Sequence, residues 1–118
     1  MRIRAIDFVV SSVSDLQKAK AFYQDVLGID APIILDEARW LEFDTQPVAL
    51  ALGTWERQPA TAVGLAVDDV QAAVDELRRK GVQVLMGPSE SPMCHFAYIA
   101  DPDGNLICIH KRKDGTAG

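Results

Sequence analysis

Cys94, His95, Cys108 and His110 have the most reactive side chains near the C-terminus of the sequence. If the strands on either side of the turn 101–104 pair simply around it, His95 faces His110. Side chains alternate between the two faces of a strand, so His95, Cys108 and His110 then share one face and Cys94 points to the other. A thiol flanked by imidazoles is a possible nucleophile, a possible soft-metal site or a possible hydrogen-bonding site for a ligand.

Three interpretations of this group stay open at the level of sequence. The first is structural, since a cysteine is often a small buried hydrophobe and a histidine near a strand end often meets water or a backbone carbonyl. The second is ligand recognition, in which one histidine hydrogen-bonds a molecule inside an apolar pocket. The third is chemical, with a thiolate–imidazole pair or a relocated soft-metal site that also uses Cys94.

The segment WLEFD contains a second candidate binding surface. Trp40, Glu42 and Asp44 alternate with Leu41 and Phe43, so one strand face is aromatic and acidic and the other is apolar. The apolar face is expected to pack under a helix, which would turn Trp40 toward the interior. An indole beside a carboxylate suits a cationic or aromatic ligand. The alternative is a solvated strand face covered by one tryptophan.

These residues lie within a duplicated unit. Residues 13–28 read VSDLQKAKAFYQDVLG, and residues 67–81 read VDDVQAAVDELRRKG. Each stretch predicts an amphipathic helix that ends at a glycine, Gly28 or Gly81. The first helix is expected to start at a capping box of Ser14 with Gln17, and the second at Asp68 with Gln71. In the first helix, Phe22 and Tyr23 are expected to pack in the core.

Strands are predicted around both helices. Proline, glycine and polar residues separate the apolar runs, and they predict a loop at 87–93 and a polar linker at 54–61 that begins with Trp55. Tyr98 and Phe96 are expected to point away from His95 into the core. The predicted strands are 2–10, 31–36, 39–44, 47–53, 62–67, 82–86, 95–100 and 105–111.

The predicted fold is α+β, with two βαβββ modules whose sheets curl round a shared concave cavity and whose helices lie outside. We assign residues 1–53 to an N-terminal module, 54–61 to a linker, 62–113 to a C-terminal module and 114–118 to a tail. One such unit cannot cover its own sheet face, so the two units are expected to form one core.

Composition excludes several classes of protein. The net charge of −5 argues against nucleic-acid binding, which needs a basic face. No apolar run approaches the roughly 20 residues that a membrane span requires. Two cysteines are too few for a disulfide scaffold, so a cytoplasmic location is the default expectation.

The sequence resembles the vicinal-oxygen-chelate superfamily, which includes glyoxalase I, extradiol dioxygenases and bleomycin-resistance proteins. The motifs that carry the resemblance are V-S-D-L…F-Y…L-G at 13–28, V-D-D-V…L…K-G at 67–81 and D-P-D-G-N-L-I at 101–107. Enzymes of that superfamily mostly hold a divalent metal with His, Gln and Glu side chains. The resemblance places the ligand positions at Phe8, Ala62 and Cys108, and a fourth near Ala49 or Ala51.

Neither phenylalanine nor alanine donates to a metal, so we expect no metal and no cofactor in this chain. A register slip of one residue would instead bring Asp7 into the cavity. We expect Asp7 to be a solvent-side residue or a strand-edge charge.

The resulting prediction is a small-molecule-binding protein of the glyoxalase/bleomycin-resistance type, able to sequester a drug or metabolite by affinity alone. The resemblance also implies a homodimer. Whether the chain is an enzyme stays open, and the alternatives are a lyase, isomerase or dioxygenase with a displaced metal and a regulatory module whose cavity is filled by side chains. The expected ligand-binding residues are Phe8, Trp40, His95, Leu106, Cys108 and His110.

Overall fold

The computed structural model describes residues 1–36, 39–54 and 61–116. The first half contains β1 (Ala5–Ser12), α1 (Leu16–Ala21), which continues as a π-helical segment (Phe22–Val26), β2 (Ile34–Asp36), β3 (Trp40–Phe43) and β4 (Ala49–Gly53). The second half contains β5 (Thr61–Ala66), α2 (Val70–Arg79), β6 (Val84–Glu90), β7 (Cys94–Ala100) and β8 (Leu106–Arg112). Trp55 and most of the predicted linker lie outside the described residues.

The strands form one mixed sheet in the order β2-β3-β4-β1-β5-β8-β7-β6. In each half, the first and last strands are parallel neighbours, β1 with β4 and β5 with β8. At the centre, β1 and β5 pair in antiparallel orientation. The two halves are therefore βαβββ modules with matching strand pairing, and the predicted α+β fold is confirmed.

Each helix covers a separate apolar cluster on the outer face of the sheet. Leu16 of α1 packs with Leu41, Phe43 and Leu52, which confirms that the apolar face of the WLEFD strand lies under a helix. Four residues of α2 are buried against β7 and β8: Val70, Ala73, Val74 and Leu77. The spacing of these four residues follows the helical repeat, and this periodicity is what predicts α2 from the sequence.

A third cluster lies on the other face of the sheet and includes no helical residue. Its buried members are Phe8, Val10, Ala49, Ala51, Ala62 and Cys108, and its half-buried members are Trp40, Phe96, Tyr98 and Leu106. These side chains come from several strands, so the sheet itself curves to enclose them. We call this cluster the concave face.

Both helices begin one residue later than expected. The side chains of Asp15 and Asp69 accept hydrogen bonds from the backbone N–H groups of Lys18 and Ala72, each at 3.0 Å. The predicted caps at Ser14 and Asp68 are therefore wrong by one position. At each helix start two adjacent residues, Ser14 with Asp15 or Asp68 with Asp69, are good N-cap types, so residue type alone does not choose between them.

Other predictions are corrected in detail. Phe22 is 49% exposed rather than buried, while Tyr23 packs beside Phe43 with ring centroids 5.9 Å apart. Residues 87–90 belong to β6 and not to a loop, because two register shifts against β7 accommodate Gly87 and its proline within the strand. Gly87 has φ +88°, and an added Cβ there would lie 2.8 Å from the Phe96 carbonyl oxygen.

The register of the last hairpin also differs from the prediction. Ala100 pairs with Leu106, so the connection contains five residues, 101–105, and not four. The Asp101 carboxylate shapes this loop by accepting hydrogen bonds from the backbone of Asp103 and from both the backbone and the side chain of Asn105. The extra residue shifts the pairing by one.

The longest α-helix of the described ranges, α2, has 10 residues. Within those ranges, no helix has both the length and the apolar character that crossing a membrane requires.

Candidate functional site

The Phe8 ring occupies the centre of the concave face. It lies directly over Gly64 of β5, where an added Cβ would be 2.5 Å from the ring. Trp40 and His110 contact it edge-on from two sides, with ring centroids 6.0 Å and 5.0 Å away. Gly64 is therefore required for this ring position, because any side chain there would displace the phenyl group.

A β-bulge brings the residue before Phe8 into the interior as well. Ile6 pairs with Leu65 and Phe8 with Gly64, so Asp7 is an extra residue in β1. A bulge of this kind breaks the alternation of side chains, which lets two consecutive residues be buried. Asp7 is 0% exposed, so the expectation that it lies on the solvent side or at a strand edge is wrong.

Asp7 and His110 form a buried ion pair that joins β1 to β8. The Asp7 Oδ2 atom lies 2.7 Å from His110 Nδ1, and His110 is only 7% exposed. Burial lowers the pKa of His110, but hydrogen bonds to Asp7 and Cys94 outweigh this and raise it to about 9. His110 is therefore an imidazolium at neutral pH.

Cys94 lies on the concave face beside His110. It pairs with Arg112 and is therefore diagonal to His110 across the β7–β8 ladder. Its Sγ lies 3.1 Å from the Ser91 hydroxyl oxygen. Burial raises the pKa of the Cys94 thiol, but the hydrogen bonds to His110 and Ser91 prevail and the pKa is lowered overall. The prediction that Cys94 and His110 point to opposite faces is therefore wrong.

Glu42 and Arg112 complete this polar group. Glu42 is 8% exposed, and burial raises the pKa of its carboxyl group, although the charges of Arg112 and His110 oppose the increase. The Arg112 guanidinium donates to the Asp7 backbone oxygen at 3.4 Å. The polar cluster, which we define as Asp7, Glu42, Cys94, His110 and Arg112, thus combines two carboxyl groups, two cations and one thiol.

Cys108 contrasts with Cys94. Its side chain is almost fully buried in the concave face, and burial raises the pKa of the thiol to about 12 despite a hydrogen bond from Tyr98. A thiol with so high a pKa is unreactive at neutral pH. Phe96 and Tyr98, which were expected in the core, are half-buried and lie on the concave face beside it.

His95 does not join the other predicted site residues. In the shifted hairpin it pairs with Lys111 and lies on the outer face, where its Nδ1 is 3.5 Å from a Glu90 carboxylate oxygen. It borders a groove of ≈ 440 Å³ between β6 and the start of α2. The other five predicted residues do converge on the concave face: Phe8, Trp40, Leu106, Cys108 and His110.

Comparison with known proteins identifies the family. The chain belongs to the Glyoxalase/Bleomycin resistance protein/Dioxygenase superfamily, whose family model matches residues 5–109. The chain is 30% identical to "Virulence protein STM3117" of Salmonella typhimurium, over 92% of this chain and 85% of that protein. It is 29% identical to a probable lactoylglutathione lyase of Vibrio parahaemolyticus, over 90% of this chain and 89% of the other.

The fold also matches solved structures. A variant of the methylmalonyl-CoA epimerase of Streptomyces coelicolor, solved in complex with 2-nitronate-propionyl-CoA, superimposes with a TM-score of 0.74 at 19% identity. The match covers 99% of this chain and 100% of the epimerase chain. At this identity, the likeness concerns the fold.

The residues at the metal-ligand positions implied by the family do not fit a divalent ion. Phe8, Ala62 and Cys108 converge on the concave face. Cys108 pairs with Gly64 and Ala51 pairs with Val10 at the matching place in the first module, so Ala51 is the fourth position. One thiol among three hydrocarbon side chains lacks the donor set of such a site. In the described part of the chain, no group of three or more His, Cys, Asp or Glu residues could hold a metal ion.

Proposed function

We propose that this protein binds a small organic molecule on its concave face without a metal ion. The observation that carries the proposal is the Phe8 ring, which lies on Gly64 at the centre of that face. Sequestration of a drug or metabolite needs affinity alone, so it is compatible with a binding site whose centre is lined by apolar side chains.

Half-buried apolar side chains provide the contact surface for the ligand. Trp40, Phe96, Tyr98 and Leu106 surround the buried Phe8 and retain some exposure. Covering about 100 Å² of such surface would contribute roughly 2.5 kcal/mol. An aromatic ligand would gain further from edge-to-face contacts with Trp40. His110 and Cys108 lie behind this surface as its floor, whereas His95 is omitted because it is on the outer face.

The polar cluster sets the preferred charge of the ligand. Glu42 faces the cations His110 and Arg112, which already balance a carboxylate at that position. A cationic ligand would have to compete with them. The arrangement therefore favours a neutral or anionic aromatic molecule whose carbonyl or carboxylate oxygen accepts a hydrogen bond from Arg112.

Tryptophan fluorescence tests this proposal. Trp55→Phe leaves Trp40 as the single reporter, and the protein is treated with a chelator before titration with benzyl alcohol, benzoate and benzylamine. We expect saturable quenching by benzyl alcohol and benzoate, weaker quenching by benzylamine, and no change when the chelator is omitted. Trp40→Phe keeps an aromatic ring at this position but removes the fluorescent indole, so binding to this matched control is measured by calorimetry.

The competing function is a lyase, isomerase or dioxygenase with a displaced metal. The names of some relatives favour it, since they include lactoylglutathione lyase and the metallothiol transferase FosB of Lysinibacillus sphaericus. Stoichiometric zinc, iron, manganese or nickel in the purified protein would establish it and overturn the metal-free proposal. So would binding that disappears after chelation.

We also propose that the chain forms a homodimer. Members of the family often dimerise, and the π-helical segment and the residue after it expose three apolar side chains, Phe22, Val26 and Leu27. Sedimentation equilibrium tests this proposal. Val26→Lys should weaken the dimer, whereas Gln71→Lys, at an exposed position on α2, is the matched control and should leave it intact. A monomeric parent protein would contradict the proposal.

A further inference from the structure

We propose that Cys94 is a nucleophile that adds to α,β-unsaturated carbonyl compounds on the concave face, with His110 as the proton donor. This activity goes beyond the metal-free binding proposed above. It uses the thiol at one end of the same face, so it rests on that face admitting a small molecule.

The first support is the geometry of three consecutive groups. Asp7 of β1 holds the His110 imidazole of β8 through Nδ1 at 2.7 Å, and Cys94 of β7 lies diagonal to His110 on the same face of the β7–β8 ladder. These side chains come from three different strands of one sheet. A carboxylate that orients an imidazole beside a thiol is the arrangement that activates cysteine nucleophiles.

Local hydrogen bonds fix the position of Cys94. Its backbone N–H donates to the Ser91 hydroxyl at 3.2 Å, and the Ser91 N–H donates to the Cys94 carbonyl at 2.9 Å. The Ser91 hydroxyl also lies 3.1 Å from Sγ. The thiol is thus held at the end of β7, with His110 as one polar neighbour and Ser91 as another.

The charges near the thiol favour its thiolate form. His110 carries a positive charge at neutral pH, and Asp7 keeps it charged. Glu42 acts against the thiolate, but Arg112 and His110 balance that carboxyl group. The pKa of Cys94 is lowered as a result, whereas that of Cys108 is raised to about 12.

Cys94 is also accessible, and it has no second thiol within reach. It is half-buried, while Cys108 is buried. Cys108 pairs with Tyr98, four residues along β7 from Cys94, which corresponds to about 13 Å. That separation exceeds the reach of a disulfide, so chemistry at Cys94 uses a single thiol.

The addition balances without a further reactant. The Cys94 thiolate attacks the β-carbon and forms a C–S bond, while the C=C π bond breaks and its electron pair moves to the α-carbon and carbonyl oxygen as an enolate. His110 gives its proton to this enolate and becomes neutral. A proton from solvent then restores the imidazolium, and the product is a saturated carbonyl compound attached to Sγ.

The test is adduct formation with trans-cinnamaldehyde, located by intact mass and peptide mapping. We expect one adduct per chain, on Cys94 and not on Cys108. A second experiment measures alkylation by iodoacetamide at each cysteine separately between about pH 5 and pH 10, a range that spans the ordinary thiol pKa. Cys94 should react at lower pH than a cysteine in the urea-unfolded chain. His110→Gln should slow the reaction at neutral pH by about tenfold.

Asp7→Asn provides a milder variant, because it keeps a hydrogen-bonding group beside His110 while removing the charge. It should raise the pH at which Cys94 reacts. If Cys94 in the folded protein follows the pH profile of the unfolded chain, or if cinnamaldehyde modifies Cys108 instead, the proposal is wrong. Benzyl alcohol binding is measured on the same parent protein, so binding without addition to cinnamaldehyde would overturn this inference alone, whereas a loss of both would also contradict the proposed function.

Discussion

The two modules share one topology but place different chemistry at their matching positions. His110 of β8 corresponds to Gly53 of β4, since Phe96 pairs with the first and Trp40 with the second. In the N-terminal module the indole lies over this glycine, where an added Cβ would be 3.0 Å from the ring. In the C-terminal module the same place holds an imidazolium.

A second difference lies in the two central strands. β1 contains the bulge that buries Asp7, whereas β5 has Thr61 at the matching position, and Thr61 is exposed. The N-terminal module thus contributes both carboxyl groups of the polar cluster, Asp7 and Glu42, and the C-terminal module contributes the thiols, the imidazole and the guanidinium. The two copies share one fold, and divergence between them places the carboxyl groups in the first copy and the thiols and cations in the second.

Breaking the Asp7–His110 pair should have the largest effect. Asp7→Ala leaves a buried imidazolium without its carboxylate partner, which typically costs about 3–5 kcal/mol of unfolding free energy. Urea unfolding measures this loss. Asp68→Ala, at an exposed position beside α2, is the matched control and should change stability little. If Asp7→Ala and Asp68→Ala lowered the unfolding free energy by the same small amount, the Asp7–His110 ion pair would not stabilise the contact between the modules.

The same pair should make stability depend on pH. The folded-state pKa of His110, about 9, lies above its ordinary value of 6.5, so its stabilisation is complete below pH 6.5 and is lost as the pH rises through 9. The loss is up to about 3 kcal/mol. Glu42, Cys94 and Arg112 also face the imidazole. Because the pKa of Cys94 is lowered in the folded protein, its contribution to stability changes with pH in the opposite sense. Urea unfolding is therefore best compared between Cys94→Ser and the double variant with Asp7→Asn.

In that comparison, Cys94→Ser should lose stability as the pH rises above 6.5, and the additional Asp7→Asn change should flatten the curve. A profile that rises with pH in Cys94→Ser would contradict the assignment of a charged His110.

The two glycines under aromatic rings provide a direct comparison of the modules. Gly64→Ala forces a Cβ to 2.5 Å from the Phe8 ring, which is enclosed on two sides, so a loss of about 1–3 kcal/mol is expected. Gly53→Ala meets the half-buried Trp40 at 3.0 Å and should cost less. Thermal unfolding checks the order. If Gly53→Ala were the more damaging change, Phe8 would not be the constrained centre.

The helix caps should give the smallest difference. Asp15→Ala and Asp69→Ala each remove one side-chain-to-backbone hydrogen bond, which is worth about 1 kcal/mol. α2 buries four residues and α1 only one, so native-state hydrogen exchange should be slower in α2 and the Asp69 variant should alter global stability more clearly. Faster exchange in α2 would reverse this ranking of the modules.

Repeating patterns in the sequence predicted most of the fold. The apolar spacing of Val70, Ala73, Val74 and Leu77 and the glycines after each helix marked the helices, and the matching stretches at 13–28 and 67–81 marked the duplication. The placement of Leu41 and Phe43 under α1 followed from strict alternation. Such features depend on local periodicity, which a single sequence displays.

The site was harder to predict because it depends on two departures from periodicity. The five-residue loop stabilised by Asp101 shifts β7 by one residue, which exchanges Cys94 for His95 on the concave face. The bulge in β1 buries Asp7 together with Phe8. The signal for the first was present in Asn105, whose side chain and N–H both bind the Asp101 carboxylate. No comparable local signal marks the bulge.

Calorimetric titration of benzoate into chelator-treated protein, with metal analysis of the same sample, tests the central claim most directly. We predict one saturable site per chain, with the same affinity before and after zinc is added, and a weaker site in Gly64→Ala, where the Phe8 ring is displaced. Heat of binding that appears only after metal is restored would contradict a metal-free binding site centred on Phe8.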